Sequence, residues 1–178
     1  MSGDSLFLRQ LASYAAVHRD RRNKATHFVG IPVIVFSLLL ALALWRIQIG
    51  GVVVTGALVV GVVALLGWLA LDFGVGLLMV VMLVPMWLLA ETLARSLGAA
   101  GTSIAFAILF VGGWVLQFLG HHFEGRRPAL LDNLFQAFIG PMFLVAETLV
   151  VLGWRRDLQA AMHASVSDAH NGRHAEVT

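Results

Sequence analysis

The sequence predicts an all-α polytopic membrane helix bundle with four to five transmembrane segments and an N-terminal interfacial helix. Of the 178 residues, 59% are hydrophobic and only 12% are charged, and the mean hydropathy is +0.86. This balance lies outside that of soluble domains. Apolar runs near the ~20 residues that a helix needs to cross a bilayer recur along the chain. We therefore expect one membrane-embedded domain over residues 1–155 and a polar, mobile C-terminal tail over 156–178.

The segment 4–17 is predicted to be a short amphipathic helix at the membrane interface, with Asp4 as its N-cap. Its apolar residues recur at helical spacing: Leu6, Phe7, Leu11, Tyr14 and Ala15. The segment lacks both a basic start and a continuous apolar stretch, so we do not expect a cleaved signal peptide. Such a helix would deliver His18 to the headgroup region.

Four apolar runs of bilayer length follow, and a fifth run allows two interpretations. The four runs are 28–45, 51–71, 73–90 and 101–120. Only Asp72 separates the second run from the third, so the stretch 71–74 is a tight turn or the two runs are less regular than this division assumes. The fifth run, 134–154, contains Pro141 and Glu147, and it either crosses the membrane or kinks and returns.

The basic residues of the short loops predict which way the chain is oriented. Five of them precede the first apolar run: Arg9, Arg19, Arg21, Arg22 and Lys24. The loop after the fourth run has Arg126 and Arg127, whereas the opposite side has only Arg46 and Arg95. The positive-inside rule then places the N-terminus in the cytoplasm, and four crossings would bring all histidines up to residue 122 to that same membrane surface.

The first candidate site is the stretch HRDRRNKATH, which begins at His18 and ends at His27. On one straight helix this separation of about two and a half turns would point the two side chains to opposite sides. A break within residues 20–23 would let both imidazoles meet, and the charged, Asn-containing stretch suits a turn. The alternative is that His18 is an interfacial residue and His27 caps the entry of a span.

The second candidate site is the stretch GHHFEGRRPALLDN, residues 120–133. Adjacent helical residues diverge by about 100°, so His121 and His122 would not both bind one ion unless the helix has already ended. His121 and Glu124 share a helix face. A glycine and a proline follow, which predicts a loop soon after Glu124. The alternative is a basic topology-determining loop with incidental histidines.

Together the two stretches predict a nitrogen-rich metal site at the cytoplasmic surface, with four histidines and Glu124 contributed by two distant segments. Because the chain has no cysteine, any metal must be bound by His, Asp or Glu. Imidazole suits Zn, Fe, Cu and Ni, and these residues alone do not choose between a hydrolytic zinc site and an oxygen-activating iron site.

Three basic residues near this site are candidates to bind a carboxylate or phosphate head group: Lys24, Arg126 and Arg127. Their alternative role is to set the topology and to pair with anionic lipid. Glu147 lies inside the fifth apolar run, where a charge is costly and suggests function. It is either a partner of the site or a structural hydrogen-bonding residue.

The two stretches resemble the motifs of a known family. They contain H-R-x3-N-x3-H-F-x-G-x-P at 18–32 and Q-F-x-G-H…F-E-x-R-R-P-A-L-x-D-N-L at 117–134. These motifs are similar to those of the Mpo-type family of membrane 2-hydroxy-fatty-acid dioxygenases, and the resemblance extends over about residues 8–155. Fungal members have one more residue between the Gly-His and Phe-Glu pairs, so either His121 or His122 is the equivalent ligand. His121, which directly follows Gly120, is preferred.

The resemblance implies an Fe(II)-dependent dioxygenase of fatty-acid α-oxidation, which cleaves a long-chain 2-hydroxy fatty acid with O2 to a product one carbon shorter. The implied cofactor is Fe2+, and the candidate ligands are His18, His27, His121 and His122. The candidate catalytic residues beside the metal are Asn23, Lys24, Glu124 and Arg126. Bacterial members of the family exist, so we expect an integral protein of a bacterial inner membrane.

Two other classes of function stay open at this point. One is a zinc-dependent membrane hydrolase that uses the same ligands, and the other is a membrane lipid- or ion-binding or transport protein whose histidines sense pH. The expected partners are the lipid bilayer, a long-chain 2-hydroxy fatty acid and O2, with no nucleic acid. The pattern does not predict an oligomeric state.

Overall fold

The computed structural model describes residues 5–125 and 134–162 of the chain. Its elements are α1 (Leu6–Val17), α2 (Arg21–Ala43), β1 (Arg46–Ile49), β2 (Val52–Thr55), α3 (Gly56–Leu71), α4 (Phe73–Glu124) and α5 (Leu134–Val151), followed by a short helix, Arg156–Met162. Apart from one hairpin and short connecting segments, the described residues are helical, which confirms the all-α class. Two compact units are present, one formed by residues 1–26 and 118–178 and the other by residues 27–117.

Helix α1 is capped by Ser5, whose side chain accepts a hydrogen bond from the Leu8 backbone N–H at 3.2 Å. The predicted cap, Asp4, lies outside the described residues. The apolar face of α1 is fully buried at Phe7 and Leu11. It packs on α5, where the Tyr14 and Phe143 ring centroids lie 4.6 Å apart. Protein therefore covers the face that an interfacial helix would present to lipid.

Helix α2 begins only after a break, which occupies residues 18–20 rather than the predicted 20–23. Asp20 caps the new helix, because its Oδ1 accepts a hydrogen bond from the Arg22 backbone N–H at 2.8 Å. The chain thus changes direction between His18 and His27, as the hypothesis of a shared site requires.

A β-hairpin that was not predicted from the sequence follows α2. Strands β1 and β2 pair antiparallel, with Ile49 opposite Val52. Gly50 and Gly51 form the turn with φ values of 55° and 86°, and two consecutive positive φ angles are typical of a type I′ turn. The predicted span 51–71 is therefore wrong at its start, since α3 begins only at Gly56. Branched apolar residues flanking Gly-Gly are a hairpin signal that was available in the sequence.

The tight turn predicted at residues 71–74 is confirmed. Asp72 is the only residue between α3 and α4, and its Oδ1 accepts a hydrogen bond from the Val75 backbone N–H at 2.8 Å. A Cβ atom at Gly76 would lie 2.7 Å from the Leu69 Cα atom. Glycine at this position therefore lets the two helices approach closely just after the turn.

Helix α4 spans 52 residues but contains a break at Gly98, which has φ 65° and ψ −178°. The Thr102 hydroxyl donates to the Ala94 carbonyl at 3.4 Å. In a straight helix, residues eight apart would be separated by ~12 Å. The chain therefore turns back at Gly98, and α4 consists of the segments 73–97 and 99–124, each near the length that a bilayer requires.

The predicted count of four to five spans is not confirmed. Among the described residues, two helices are long and apolar enough to cross a membrane by length and composition, Arg21–Ala43 and Phe73–Glu124. A third candidate span is present if two neighbouring helices that are bent by 114° count as one broken span. These helices are Phe135–Val151 and Arg156–Met162. Helix Gly56–Leu71 is apolar but has only 16 residues.

Close packing between α2 and the second segment of α4 leads to a prediction about Gly113. A Cβ atom at Gly113 would lie 2.6 Å from Ile34 Cγ1 and 3.2 Å from the Gly30 carbonyl oxygen. We expect Gly113→Ala to destabilise the protein by ~1–3 kcal/mol through overpacking, measured as a lowered thermal unfolding midpoint in detergent. Gly112→Ala is the matched control, since nothing lies within 4 Å of a Cβ there. An equal effect of both substitutions would contradict the packing argument.

Candidate metal centre

His18 lies in the break between α1 and α2, with only 2% of its surface exposed. Its Nδ1–H donates to the Tyr14 carbonyl oxygen at 2.8 Å, and its ring stacks on the Tyr14 ring at a centroid distance of 4.0 Å. Burial lowers the pKa of His18 to about 4. The imidazole is therefore neutral at pH 7, and the Nδ1–H bond leaves the ring lone pair on Nε2, the form that binds a metal.

His121 occupies the last turn of α4 and is 5% exposed. Its ring meets that of His18 edge to face, with centroids 5.2 Å apart. The ring of Phe143 on α5 is tilted against that of His18, with a centroid distance of 5.9 Å. The environment of the two imidazoles is therefore buried and aromatic.

His27 is 1% exposed and lies on α2. His18, His27 and His121 each offer one ring nitrogen, and these three atoms lie within 4.8 Å of one another. Nitrogens that bind one ion at ~2.1 Å are themselves ~3–4 Å apart. Small side-chain rotations therefore suffice for a common ion, and we call these three residues the histidine triad.

His122, the fourth predicted ligand, lies outside the histidine triad. It is exposed, and its ring centroid lies 6.1 Å from that of Phe123. The helix continues through both residues, so the side chains of His121 and His122 diverge by about 100°. The sequence left open whether His121 or His122 is the equivalent ligand, and the histidine triad contains His121.

Glu124 does not join the histidine triad; its carboxylate accepts hydrogen bonds from the backbone of the break between α1 and α2. Its Oε1 accepts from the Arg19 backbone N–H at 3.0 Å, and its Oε2 accepts from the Asp20 backbone N–H at 2.9 Å. The fully buried Asn23 donates its Nδ2–H to the same Oε2 at 3.0 Å. These bonds tie the end of α4 to the loop that carries His18.

Lys24 forms an ion pair with Glu147 of α5. The Lys24 side chain is 31% exposed and the Glu147 side chain 12%. Within the described ranges, Glu147 Oε2 is buried and has no hydrogen-bond partner. Glu147, whose role the sequence left open, thus neutralises a cation that was predicted to face a substrate. Arg126 and Arg127 lie outside the described residues.

Two further polar groups were missed as candidates in the sequence. The Arg19 guanidinium has buried Nε and Nη2 atoms, and Gln117 has a buried Nε2 atom, all without a hydrogen-bond partner in the part of the chain that the structure describes. Arg19 and Gln117 each belong to a sequence motif that also contains a triad histidine. Their place in the motifs could have marked them as candidates, but it does not predict where their side chains point. Buried polar groups are nearly always paired, so both call for an explanation.

Comparisons with known proteins agree with the motifs. A family model described as 2-hydroxy-palmitic acid dioxygenase Mpo1-like matches residues 5–152. The 2-hydroxy-palmitic acid dioxygenase MPO1 of Saccharomyces cerevisiae is 33% identical over 161 residues, which cover 86% of this chain and 85% of the yeast protein. No solved structure matches the chain. The chain therefore belongs to the Mpo1-like family of 2-hydroxy-palmitic acid dioxygenases, the family that its two motifs resemble.

Proposed function

We propose that the protein is an Fe(II)-dependent dioxygenase that cleaves long-chain 2-hydroxy fatty acids with O2 to a product one carbon shorter. The observation that carries the proposal is the histidine triad, which assembles three buried imidazoles from both family motifs. The similarity to a yeast protein named for 2-hydroxy-palmitic acid supports the substrate class.

His18, His27 and His121 would hold the ion, and the chemistry of these residues fits that role. All three are at least 95% buried, and His18 is neutral at pH 7. Three protein ligands leave coordination positions for other molecules. When bound, the metal would supply Lewis acidity and a binding position for O2. We do not include His122 among the ligands.

The reaction balances without a second organic substrate. Breaking the C1–C2 bond of a 2-hydroxy acid and oxidising both carbons releases four electrons, which reduce one O2. The products are a fatty acid one carbon shorter, carbon dioxide and water. The 2-hydroxy acid is thus its own electron source, and no 2-oxo-acid cosubstrate is needed.

The polar side chains around the histidine triad divide into two proposed roles. Glu124 positions the loop that carries His18, because its carboxylate accepts hydrogen bonds from two backbone N–H groups of that loop, and Asn23 holds this carboxylate through its own donated bond. We propose that Arg19 rather than Lys24 binds the substrate carboxylate, since its buried guanidinium nitrogens have no partner among the described residues. Lys24 is already neutralised by its ion pair with Glu147. Arg126 remains a second proposed partner of the substrate carboxylate.

The apolar helices suit a membrane-embedded enzyme whose substrate arrives from the bilayer. We propose that the acyl chain lies among the apolar helices and that the head group reaches the triad from the membrane surface. The proposed cytoplasmic orientation rests on the distribution of Lys and Arg, whereas the proposed bacterial inner membrane rests on the existence of bacterial family members.

A zinc-dependent hydrolase is the second candidate, because three histidines without a carboxylate are also a ligand set of catalytic zinc. Metal analysis of detergent-purified protein, prepared without chelator or a histidine tag, separates the two. We expect about one iron per chain and O2 uptake with 2-hydroxypalmitate but not with palmitate. Stoichiometric zinc without O2 uptake would favour the hydrolase. Failure to bind any metal after anaerobic addition of Fe(II) would contradict a metal centre.

A further inference from the structure

The Gln117 side chain is a buried amide close to the histidine triad. The residue is 6% exposed, and its Nε2 atom is buried without a hydrogen-bond partner in the described ranges. A buried amide N–H without an acceptor is unfavourable, because it has lost its bonds to water and gained none in the protein. An acceptor supplied by a bound molecule would resolve this.

The surroundings of this amide are set by the two helices that carry two of the triad histidines. Gln117 precedes His121 by four residues on α4, so both side chains lie on one helix face. Its Nε2 atom lies against Gly30 of α2, where a Cβ atom would be only 2.4 Å away. Gly30 follows His27 by three residues on the same helix. The amide therefore lies one helical turn from His121 and next to a residue one turn from His27.

Gln117 lies on the apolar side of the triad histidines along each helix. The polar groups of Glu124 and Asn23 are one turn away from His121 and His27 in the opposite direction, toward the charged start of α2. An amphiphilic acid orients its carboxylate toward the charged side and its alkyl chain toward the apolar side. Its C2 carbon, with the hydroxyl group, is the first position on the alkyl side of the carboxylate.

We propose that Gln117 determines the specificity for 2-hydroxy acids by donating its Nε2–H to the substrate 2-hydroxyl oxygen. This inference rests on the proposed function and adds to it the residue that recognises the 2-hydroxyl group of the substrate. A hydroxyl oxygen has two lone pairs, so it accepts from the amide and keeps one for a second partner. A fatty acid without the hydroxyl leaves the buried amide unpaired. Sites of this kind reject an analogue that lacks the bonding group far more strongly than an apolar pocket does.

Equilibrium binding without turnover tests the proposal. The dissociation constants for 2-hydroxypalmitate and palmitate are measured anaerobically on iron-loaded, detergent-purified protein for wild type, Gln117→Leu and Gln117→Glu. Leucine removes the amide at a similar volume, and glutamate keeps the shape but loses the N–H donor. We expect 2-hydroxypalmitate to bind about 5- to 100-fold more weakly to both variants, with palmitate changed less than about threefold.

Gln136→Leu is the matched control, because Gln136 is another buried glutamine whose Nε2 instead donates to Gln10. It should leave the preference for 2-hydroxypalmitate unchanged. Equal weakening of both acids in the Gln117 variants, or an unchanged preference, would overturn the inference while leaving the proposed function intact. A wild-type protein that binds both acids equally would instead contradict the proposed substrate class, and the inference with it.

Discussion

Alanine at His18, His27 or His121 is expected to abolish metal binding, with the metal content falling from about one ion per chain to less than about a tenth. Each residue supplies one of three ring nitrogens that lie within 4.8 Å of one another. Two imidazoles hold a divalent ion far more weakly than three, and substitutions even of groups that only support a ligand cost 10- to 100-fold in affinity. We expect a loss of at least ~100-fold in O2 uptake with 2-hydroxypalmitate. Metal analysis and an oxygen electrode measure the two effects.

His122→Ala is the matched control for these variants. His122 is a neighbour of His121 on the same helix, but it is exposed and lies outside the histidine triad. We expect it to keep both metal and activity, and circular dichroism should show unchanged helix content in all four variants. Metal loss in His122→Ala combined with retention in His121→Ala would mean that the ligand assignment is reversed.

Glu124→Ala is expected to weaken metal binding by about 10- to 100-fold without removing a ligand. Its carboxylate accepts hydrogen bonds from two backbone N–H groups of the break and from the Asn23 side chain. Without it these donors lose their acceptor, at a cost of ~1–3 kcal/mol for each one left buried. The loop that carries His18 then loses its fixed position. Competition with a chelator measures the affinity, and thermal unfolding in detergent measures the stability.

The control for Glu124 is Asp157→Asn, which changes a carboxylate in an exposed ion pair with Arg155. Neither metal affinity nor unfolding midpoint should change measurably, because exposed pairs contribute little. If Glu124→Ala instead kept full metal affinity and stability but lost turnover, the positioning role would be wrong. A direct part of Glu124 in proton transfer would then be the better explanation.

Much of the fold and part of the site were predictable because they depend on local patterns. Apolar composition indicates helices for a membrane, and a lone Asp72 between two apolar runs predicts a tight turn, which the structure confirms. The charged stretch after His18 predicted a break, which the structure contains two residues earlier. The hairpin at residues 46–55 was also a local signal, in Gly50 and Gly51, but the long apolar run obscured it.

The sequence by itself determined the membrane class, the helical fold and the two histidine-containing stretches, because hydropathy, helical spacing and motifs are properties of neighbouring residues. Only the tertiary structure decided which side chains meet. In the folded chain, His121 rather than His122 lies beside His18. The Glu124 carboxylate accepts hydrogen bonds from backbone N–H groups, and Lys24 forms an ion pair with Glu147. These partners are more than a hundred residues apart in the chain. Their contacts depend on where α1 breaks from α2 and on how the end of α4 and α5 pack there, which spacing along one helix does not specify.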